Sequence, residues 1–311
     1  MTLDDEPRRL AGIKPNLERR AVIYQFIREF FSGEGCLEVE TPTRTPAVAP
    51  EAHIVPFGSE GWFLSTSPEL YMKRLLASGY DRLFQISRCF RKDEAGKQHN
   101  PEFTMLEWYR VGADYRQMIA DTERLVVTLA GKLGLGNTIT YKNQRIDITL
   151  PWPAITVREA FQKAAGWNPV TELDAVRFDL DLVEKVMPSF IYNRPTVLLD
   201  YPAQMASLAR LKPGKPEIAE RAEVFIGGME LANAYSELTD SVELEKRFKQ
   251  ESAQIRKAGR RIVMPRQFLK AMPYLPECGG IALGVDRLVM LFCNAESISE
   301  VIAFPEPSDR A

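Results

Sequence analysis

The feature that most constrains this fold is a pair of alternating segments joined by a long polar loop. In residues 83–91 every second side chain is polar and the series ends at Arg91, while in residues 103–109 aromatic side chains share one face with Glu107. A period of two is typical of β-strands whose two faces meet different surroundings. The loop over residues 92–102 is too long for a tight hairpin, and such loops are often functional. The segment therefore predicts a site that receives a planar ring, an anion and a cation.

Composition excludes several classes of protein. The 311 residues carry a net charge of −2, which argues against an extended nucleic-acid surface because such surfaces need a clustered basic face. The apolar run at residues 288–293 is far too short to span a bilayer, and the acidic start of the chain predicts no signal peptide. The four cysteines show neither C-x-x-C spacing nor a nearby histidine. We therefore expect reduced thiols, a cytoplasmic location and no membrane partner.

Predicted helices and strands are mixed along the chain, without the regular strand–helix–strand order of βαβ units. This mixture predicts an α+β fold built around a mostly antiparallel sheet. We expect one domain over residues 17–311, preceded by an N-terminal extension of residues 1–16. Two strands are expected around Gly227 and Gly228, and a Gly-rich strand at residues 279–285. The main predicted helices cover residues 17–31, 69–78, 114–133 and 240–258.

Two further helix starts are predicted from their capping residues. Ser67 stands before Pro68 and Glu69, an order that suits a serine cap, a proline in the first turn and an acid near the positive end of the helix dipole. Asp286 follows the Gly-rich strand and is predicted to cap a helix that continues to Leu291.

Arg91 and Arg287 are candidate phosphate-binding residues. Arg91 stands at a strand end beside the polar loop, and Arg287 stands in the first predicted turn of a helix. A guanidinium grips phosphate oxygens in a fork, and a helix N-terminus adds oriented N–H groups. Each arginine taken alone favours a surface salt bridge instead. The Gly-rich strand before Arg287 permits close approach of a ligand and strengthens the phosphate hypothesis.

Four acids, Glu69, Glu107, Glu230 and Glu237, alternate with apolar residues or begin a helix. Each alone is compatible with a solvated strand edge, but an inward carboxylate needs a partner. Asn233 and Tyr235 share a predicted face with Glu237. Glu223 and Glu230 fall on neighbouring predicted strands, and paired carboxylates near phosphate-binding arginines suit Mg²⁺.

The order of these motifs resembles a known family. Pro42 after a helix and strand is similar to the first, dimer-forming motif of class II aminoacyl-tRNA synthetases, residues 90–103 to the second motif and residues 284–287 to the third. His-Asn-Pro-Glu-Phe-Thr-Met-Leu-Glu from His99 and Asn-Ala-Tyr-Ser-Glu-Leu from Asn233 resemble the lysyl-tRNA synthetase branch. The resemblance implies a six- to seven-stranded antiparallel core flanked by helices, an obligate homodimer, and adenylate chemistry with ATP and Mg²⁺.

The resemblance also implies roles for single residues. Arg91 would hold the α-phosphate, Arg287 the γ-phosphate, and Phe103 would stack on adenine. Mg²⁺ would be held by Glu223 and Glu230. The other nucleotide contacts implied are Lys92, Asp93, His99, Asn100, Leu231 and Gly284, and the contacts to a lysine-like substrate are Ser67, Pro68, Glu69, Glu107, Tyr109, Asn233, Glu237 and Ala282.

Two residues depart from the family pattern. The second motif usually reads Phe-Arg-Asn-Glu, whereas this chain has Asp93, one methylene shorter, followed by Glu94. Either acid is a candidate for the glutamate's role. The second departure is Ala282, where lysyl-tRNA synthetases have glycine, and its methyl group is expected to reshape the amino-acid pocket.

The first-motif helix is predicted to start near Leu17, which leaves no room for an N-terminal anticodon-binding domain. With Ala282 and the sequence Asp-Tyr-Pro-Ala from Asp200, the chain resembles the branch that adenylates (R)-β-lysine and transfers it to a lysine side chain of elongation factor P. We therefore expect no tRNA charging. Two alternatives stay open: a truncated enzyme that activates α-lysine for another acceptor, and a non-catalytic regulatory paralogue.

Overall fold

The computed structural model describes residues 6–306. Residues 1–5 and 307–311, which belong to the predicted extension and to the end of the predicted domain, lie outside the described residues. In the described part of the chain no helix is both long and apolar enough to cross a membrane. All four cysteines are free thiols, as predicted.

The first helix, α1, starts earlier than the sequence predicts. It runs Glu6–Gly33 rather than from residue 17, and Pro15 lies inside it. Its early turns are held by the far end of the chain, where Asn16 Nδ2 donates to the carbonyl of Glu300 at 3.0 Å. Long-range contacts therefore stabilise turns that a proline disfavours. The helix crosses the predicted boundary between extension and domain without a break.

The predicted antiparallel core is confirmed and lies within a nine-stranded sheet. Six antiparallel strands form its centre in the order β5-β6-β14-β13-β12-β10, while β1 and β9 pair in parallel at the two ends and β11 pairs with β12. The strand expected before Pro42 corresponds to β1, whereas the sequence prediction missed β9 and β11 because strands of two or three residues are too short to show alternation. The sheet strands are β1 Leu37–Glu38, β5 Arg82–Phe90, β6 Glu102–Val111, β9 Ala154–Thr156, β10 Thr196–Pro202, β11 Leu211–Lys212, β12 Lys215–Ile226, β13 Met229–Ser236 and β14 Cys278–Gly284.

Two small sheets complete the strands. One contains β2 Arg44–Thr45, β3 Gly58–Ser59 and β4 Trp62–Leu64, and the other is the hairpin of β7 Thr138–Tyr141 and β8 Gln144–Asp147. The remaining α-helices are α2 Glu69–Leu76, α3 Tyr115–Lys132, α4 Val157–Ala165, α5 Ala175–Asp181, α6 Ser241–Lys257, α7 Arg266–Ala271 and α8 Val285–Cys293.

The two faces of the central sheet have different neighbours. Leu106 and Trp108 of β6 point into a core shared with α1, α3 and α8. Glu107 and Tyr109, which alternate with them, point to the other face, where they line a cavity. The alternation predicted from the sequence is therefore confirmed. It places the chemically active side chains of β6 on one open face of the sheet.

Candidate active site

One cavity on the open face collects most of the predicted site residues. Its wall draws on β6, β13 and β14, on the start of α2 and on the loop between β5 and β6. The predicted residues that line it are Ser67, Glu69, Arg91, His99, Asn100, Phe103, Glu107, Tyr109, Glu230, Leu231, Asn233, Glu237, Ala282, Gly284 and Arg287.

Four predicted residues do not belong to the cavity wall as described. Lys92 and Asp93 are exposed, and the Lys92 amide donates to the carbonyl of Val55. Pro68 lies directly before α2, and Glu223 is buried on β12. Glu223 pairs with Asn233 in the ladder, so the two side chains lie on the same face of the sheet, and Asn233 Nδ2 donates to Glu223 Oε1 at 3.2 Å.

Arg91 anchors one end of the cavity. Its guanidinium carbon lies 5.1 Å from the ring centre of Phe103, and its Nη1 lies 3.3 Å from Glu94 Oε1. Glu94 lines the cavity and Asp93 does not, so Glu94 is the acid that the fold sets beside the arginine. This contact favours Glu94 for the role of the motif glutamate, and that role stays a prediction.

Arg287 lies at the same end, in the first turn of α8. Its Nη1 donates to the backbone carbonyl of Glu230 at 2.7 Å and lies 3.7 Å from Glu230 Oε2, and its Nη2 meets the ring of His99. Burial and the charge of Arg287 lower the pKa of His99. Asn100 also lines this end, but its side chain binds the carbonyl of Glu102 and the amide of Glu306. Its predicted nucleotide contact therefore stays a prediction.

The opposite end of the cavity is acidic. Glu107 is buried and accepts hydrogen bonds from Ser67 Oγ at 2.6 Å and from Tyr109 Oη at 2.8 Å. Burial and the charge of Glu69 nevertheless raise the pKa of Glu107 to about 7. Burial likewise raises the pKa of Glu237 to about 8. This end therefore favours a cationic ligand, which would hold both carboxylates in their charged form.

Lys73 lies between two of these acids and was missed at the sequence level. Its Nζ lies 2.5 Å from Glu69 Oε1 and 2.5 Å from Glu237 Oε2, and the side chain is 2% exposed. Burial lowers the pKa of Lys73, but the charges of Glu237 and Glu69 outweigh burial and raise it. The spacing of four from Glu69 was the available signal. The second partner, Glu237 directly after β13, could not be predicted from the sequence.

The two predicted helix caps have different outcomes. Ser67 Oγ accepts from the amide of Glu69 at 3.0 Å in the first turn of α2, as a capping serine does, and its hydroxyl also donates to Glu107. Asp286 does not cap α8. Its carboxylate instead accepts from the Thr104 amide at 2.7 Å and pairs with Arg20 at 2.7 Å. The prediction of a cap at Asp286 was wrong because buried partners from other elements bind its side chain.

Gly280 has a different role from the predicted approach of a ligand. A Cβ at this position would lie 2.1 Å from Glu237 Oε1 and 2.4 Å from Tyr109 Cε1. The missing side chain therefore makes space for the protein's own side chains, which cross β14 here. Gly284 differs, since a Cβ there would only touch Arg287 at 3.6 Å or more.

Comparison with known proteins gives the family. Residues 8–308 match the family model described as tRNA synthetases class II (D, K and N). The chain belongs to this class II synthetase family. Its relatives within the family fall into two groups by name.

The first group of relatives matches this class II chain over nearly its full length. An elongation factor P–(R)-β-lysine ligase from Klebsiella pneumoniae (strain 342) is 38% identical, with 93% of this chain and 94% of that protein aligned. The ligase of the same name from Yersinia enterocolitica is 37% identical with the same coverage. In the second group, a lysine–tRNA ligase from Moorella thermoacetica is 39% identical over 92% of this chain but 64% of its own length.

A carboxylate pair fits the Mg²⁺ that class II synthetases imply. Burial and the nearby carboxylate of Glu223 raise the pKa of Glu230 to about 7. A divalent cation would relieve this repulsion. Glu223 Oε1 also accepts from Arg221 Nη2 at 2.6 Å and from Asn233 Nδ2 at 3.2 Å. Among residues 6–306 no cluster of three or more His, Cys, Asp or Glu side chains forms a metal site. The pair therefore suits an ion that is completed by substrate phosphates.

Proposed function

We propose that this class II family member activates (R)-β-lysine with ATP as an aminoacyl-adenylate and transfers it to a lysine side chain of elongation factor P. One observation carries the proposal: a single cavity joins two arginines at one end to buried carboxylates at the other. The full-length relatives that bear this activity in their names support it. The proposal includes a homodimer in the cytoplasm and no membrane partner.

The two ends of the cavity suit the first half-reaction. The carboxylate of the amino acid attacks the α-phosphorus of ATP, and pyrophosphate leaves. Arg91 would bind the α-phosphate and Arg287 the γ-phosphate. The negative charge that develops on the phosphate oxygens during attack would then be stabilised by a guanidinium held in a fixed position. Mg²⁺ held by Glu230 and Glu223 would neutralise phosphate charge. Phe103, on the open face beside Arg91, offers its ring to adenine.

The acidic end suits a substrate with an amine far from its carboxylate. Glu107 is fixed by Ser67 and Tyr109, and Glu237 by Lys73. A charge-assisted hydrogen bond from an ammonium to either acid is about twice as strong as a neutral one. The pocket thereby selects a lysine-type chain over an apolar one of similar length.

Two measurements test the proposal. The protein should catalyse β-lysine-dependent exchange between pyrophosphate and ATP. Purified elongation factor P, incubated with the protein, ATP and β-lysine, should gain the mass of one lysyl group. Arg91→Ala should lower exchange by at least about 100-fold, the size of a lost transition-state contact, while circular dichroism stays unchanged. Near wild-type exchange in this variant would remove Arg91 from the mechanism.

The identity to lysine–tRNA ligases supports a second candidate, an enzyme that activates α-lysine for tRNA. We expect no stable lysyl-tRNA because phosphate contacts dominate affinity for nucleic acid and the chain carries no basic excess. Incubation with ATP, labelled α-lysine and tRNA measures it. Aminoacylation at a rate comparable to adenylate formation would favour this second candidate.

A further inference from the structure

The acidic end of the cavity holds more negative than positive charge. Four carboxylates, Glu51, Glu69, Glu107 and Glu237, line the cavity. Among residues 6–306 the one buried ammonium that pairs with any of them is that of Lys73, which contacts Glu69 and Glu237. Glu107 and Glu237 would bind one amine of a diamine substrate, the amine that lies farther from the substrate's carboxylate. Among these four acids, Glu51 alone has no predicted substrate contact.

Glu51 lies on a loop that the fold holds firmly against the cavity. The amide of Ala52 donates to Glu251 Oε2 at 2.7 Å, and Arg260 Nη1 donates to the carbonyl of Ile54 at 3.2 Å. These contacts bind the residues directly after Glu51 to α6 and to the segment that follows it. The loop therefore presents a fixed carboxylate rather than a mobile one.

The surroundings of Glu51 set its place along the cavity. The one hydrogen bond of its carboxylate within the described chain comes from Ser207 Oγ at a long 3.3 Å, and the carboxylate forms no ion pair with residues 6–306. Its charge acts on Arg91 and on Tyr235, and burial and the charge of Glu69 raise its own pKa. Glu51 therefore lines the same cavity as the phosphate-binding arginine and Glu69.

We propose that Glu51 binds the amine nearest to the carboxylate of the substrate and is a specificity-determining residue. This inference rests on the proposed function. In β-lysine, 3,6-diaminohexanoate, the distal amine lies at the Glu107 and Glu237 end, while the carboxylate lies at the Arg91 end. The 3-amine then falls on the side of the cavity that Glu51 lines. A partly buried acid without a protein cation becomes paired when the diamine binds.

The test compares two substrates that differ by this one amine. 6-Aminohexanoate is β-lysine without its 3-amine. We would measure kcat/KM in pyrophosphate exchange for both acids with wild type and with Glu51→Gln. The wild type should prefer β-lysine, and Glu51→Gln should reduce the β-lysine to 6-aminohexanoate ratio by about 10- to 100-fold, the worth of a hydrogen bond to a charged group. Glu107→Gln is the matched control and should lower both values while the ratio changes by less than about threefold.

The ratio does not depend on the fraction of protein that is folded, so a merely structural role of Glu51 leaves it unchanged. Glu51→Asp, which keeps the charge on a shorter side chain, should retain part of the preference. A wild-type ratio in both Glu51 variants overturns the assignment and leaves the proposed function standing. Failure of the wild type to activate either acid overturns the proposed function and the assignment with it.

Discussion

Ala282 is the residue at which a single methyl group is expected to set substrate preference. It pairs with Glu107 on one side and with Asn233 on the other, so its side chain lies on the cavity floor between two substrate-facing residues. The amine of α-lysine is one carbon closer to the carboxylate than that of β-lysine, and a methyl can crowd one placement and leave the other free. Shape discrimination of this size is worth about 1–3 kcal/mol, or about 10- to 200-fold.

We therefore predict that Ala282→Gly shifts preference from β-lysine toward α-lysine. The measurement is the ratio of kcat/KM for the two isomers in both proteins. An unchanged ratio would make Ala282 a packing residue, and selectivity would then rest on other parts of the pocket.

The raised pKa values of Glu107 and Glu237 predict how substrate affinity varies with pH. In the free protein these carboxyls release their protons near pH 7 and pH 8. A diammonium ligand binds the charged form, so its dissociation constant should fall as pH rises from about 6 to about 9, and binding should release protons. Calorimetry in buffers of different ionisation enthalpy measures both. Glu107→Gln should reduce the slope, and a pH-independent affinity would contradict this account.

The raised pKa values of Glu107 and Glu237 affect the stability of the free protein in the opposite direction. Affinity for the diammonium ligand increases with pH, whereas stability decreases. Both folded pKa values lie above the ordinary value of 4.5. The folded state therefore holds protons that the unfolded chain has already released. The contribution of these groups to the free energy of unfolding is present at low pH and declines as pH rises from about 5 to about 8.

At the scale of elements, Arg20 joins α1 to the site. Its Nη1 lies 2.7 Å from Asp286 Oδ1 on α8, and its Nη2 donates to Thr104 Oγ1 on β6 at 3.0 Å. Asp286 precedes the phosphate-binding Arg287, and Thr104 follows Phe103. The side chains of Arg20 and Asp286 are 12% and 3% exposed, so this pair is buried.

We predict that Arg20→Leu lowers the free energy of unfolding by about 3–5 kcal/mol because it leaves a buried carboxylate without its partner. Arg28→Leu is a matched control on the same helix. Arg28 pairs with Glu38, but these side chains are 48% and 38% exposed, and such a pair contributes about 0–1 kcal/mol. Denaturant unfolding of both variants measures the difference, and equal losses would contradict the assigned role.

At the scale of the whole molecule, the proposed homodimer needs an exposed surface. The apolar face of α1 at Ile23, Ile27 and Phe31 cannot supply it, because this face is buried in the chain's own core. The opposite side of α1 exposes Val22, and the edge strand β1 exposes Leu37, which is 51% exposed. An edge strand offers unpaired backbone groups to a second chain.

We therefore predict a homodimer through the edge at β1 and the outer side of α1. Sedimentation at micromolar concentration should give twice the mass of the chain, and Leu37→Glu should shift the protein toward monomer. Val176→Glu, at an exposed apolar residue on α5, should leave the mass unchanged. A wild-type monomer would overturn the dimer.

The sequence by itself determined the features that depend on neighbours along the chain. The alternation in β6 placed Glu107 and Tyr109 on one face because side-chain direction in a strand is fixed locally. The helix over residues 114–133 was predicted from the same kind of local signal, and the structure confirms it as α3. The antiparallel core followed from the mixture of such elements.

Only the tertiary structure decided which distant side chains meet. It set Lys73 between Glu69 and Glu237, placed Glu94 rather than Asp93 beside Arg91, and placed Glu51 on the wall of the cavity. The tertiary structure also allows α1 to continue past Pro15, because a hydrogen bond to the other end of the chain stabilises its early turns. Ion pairs and hydrogen bonds depend on distances of a few ångströms between residues far apart in sequence, and no local pattern encodes those distances.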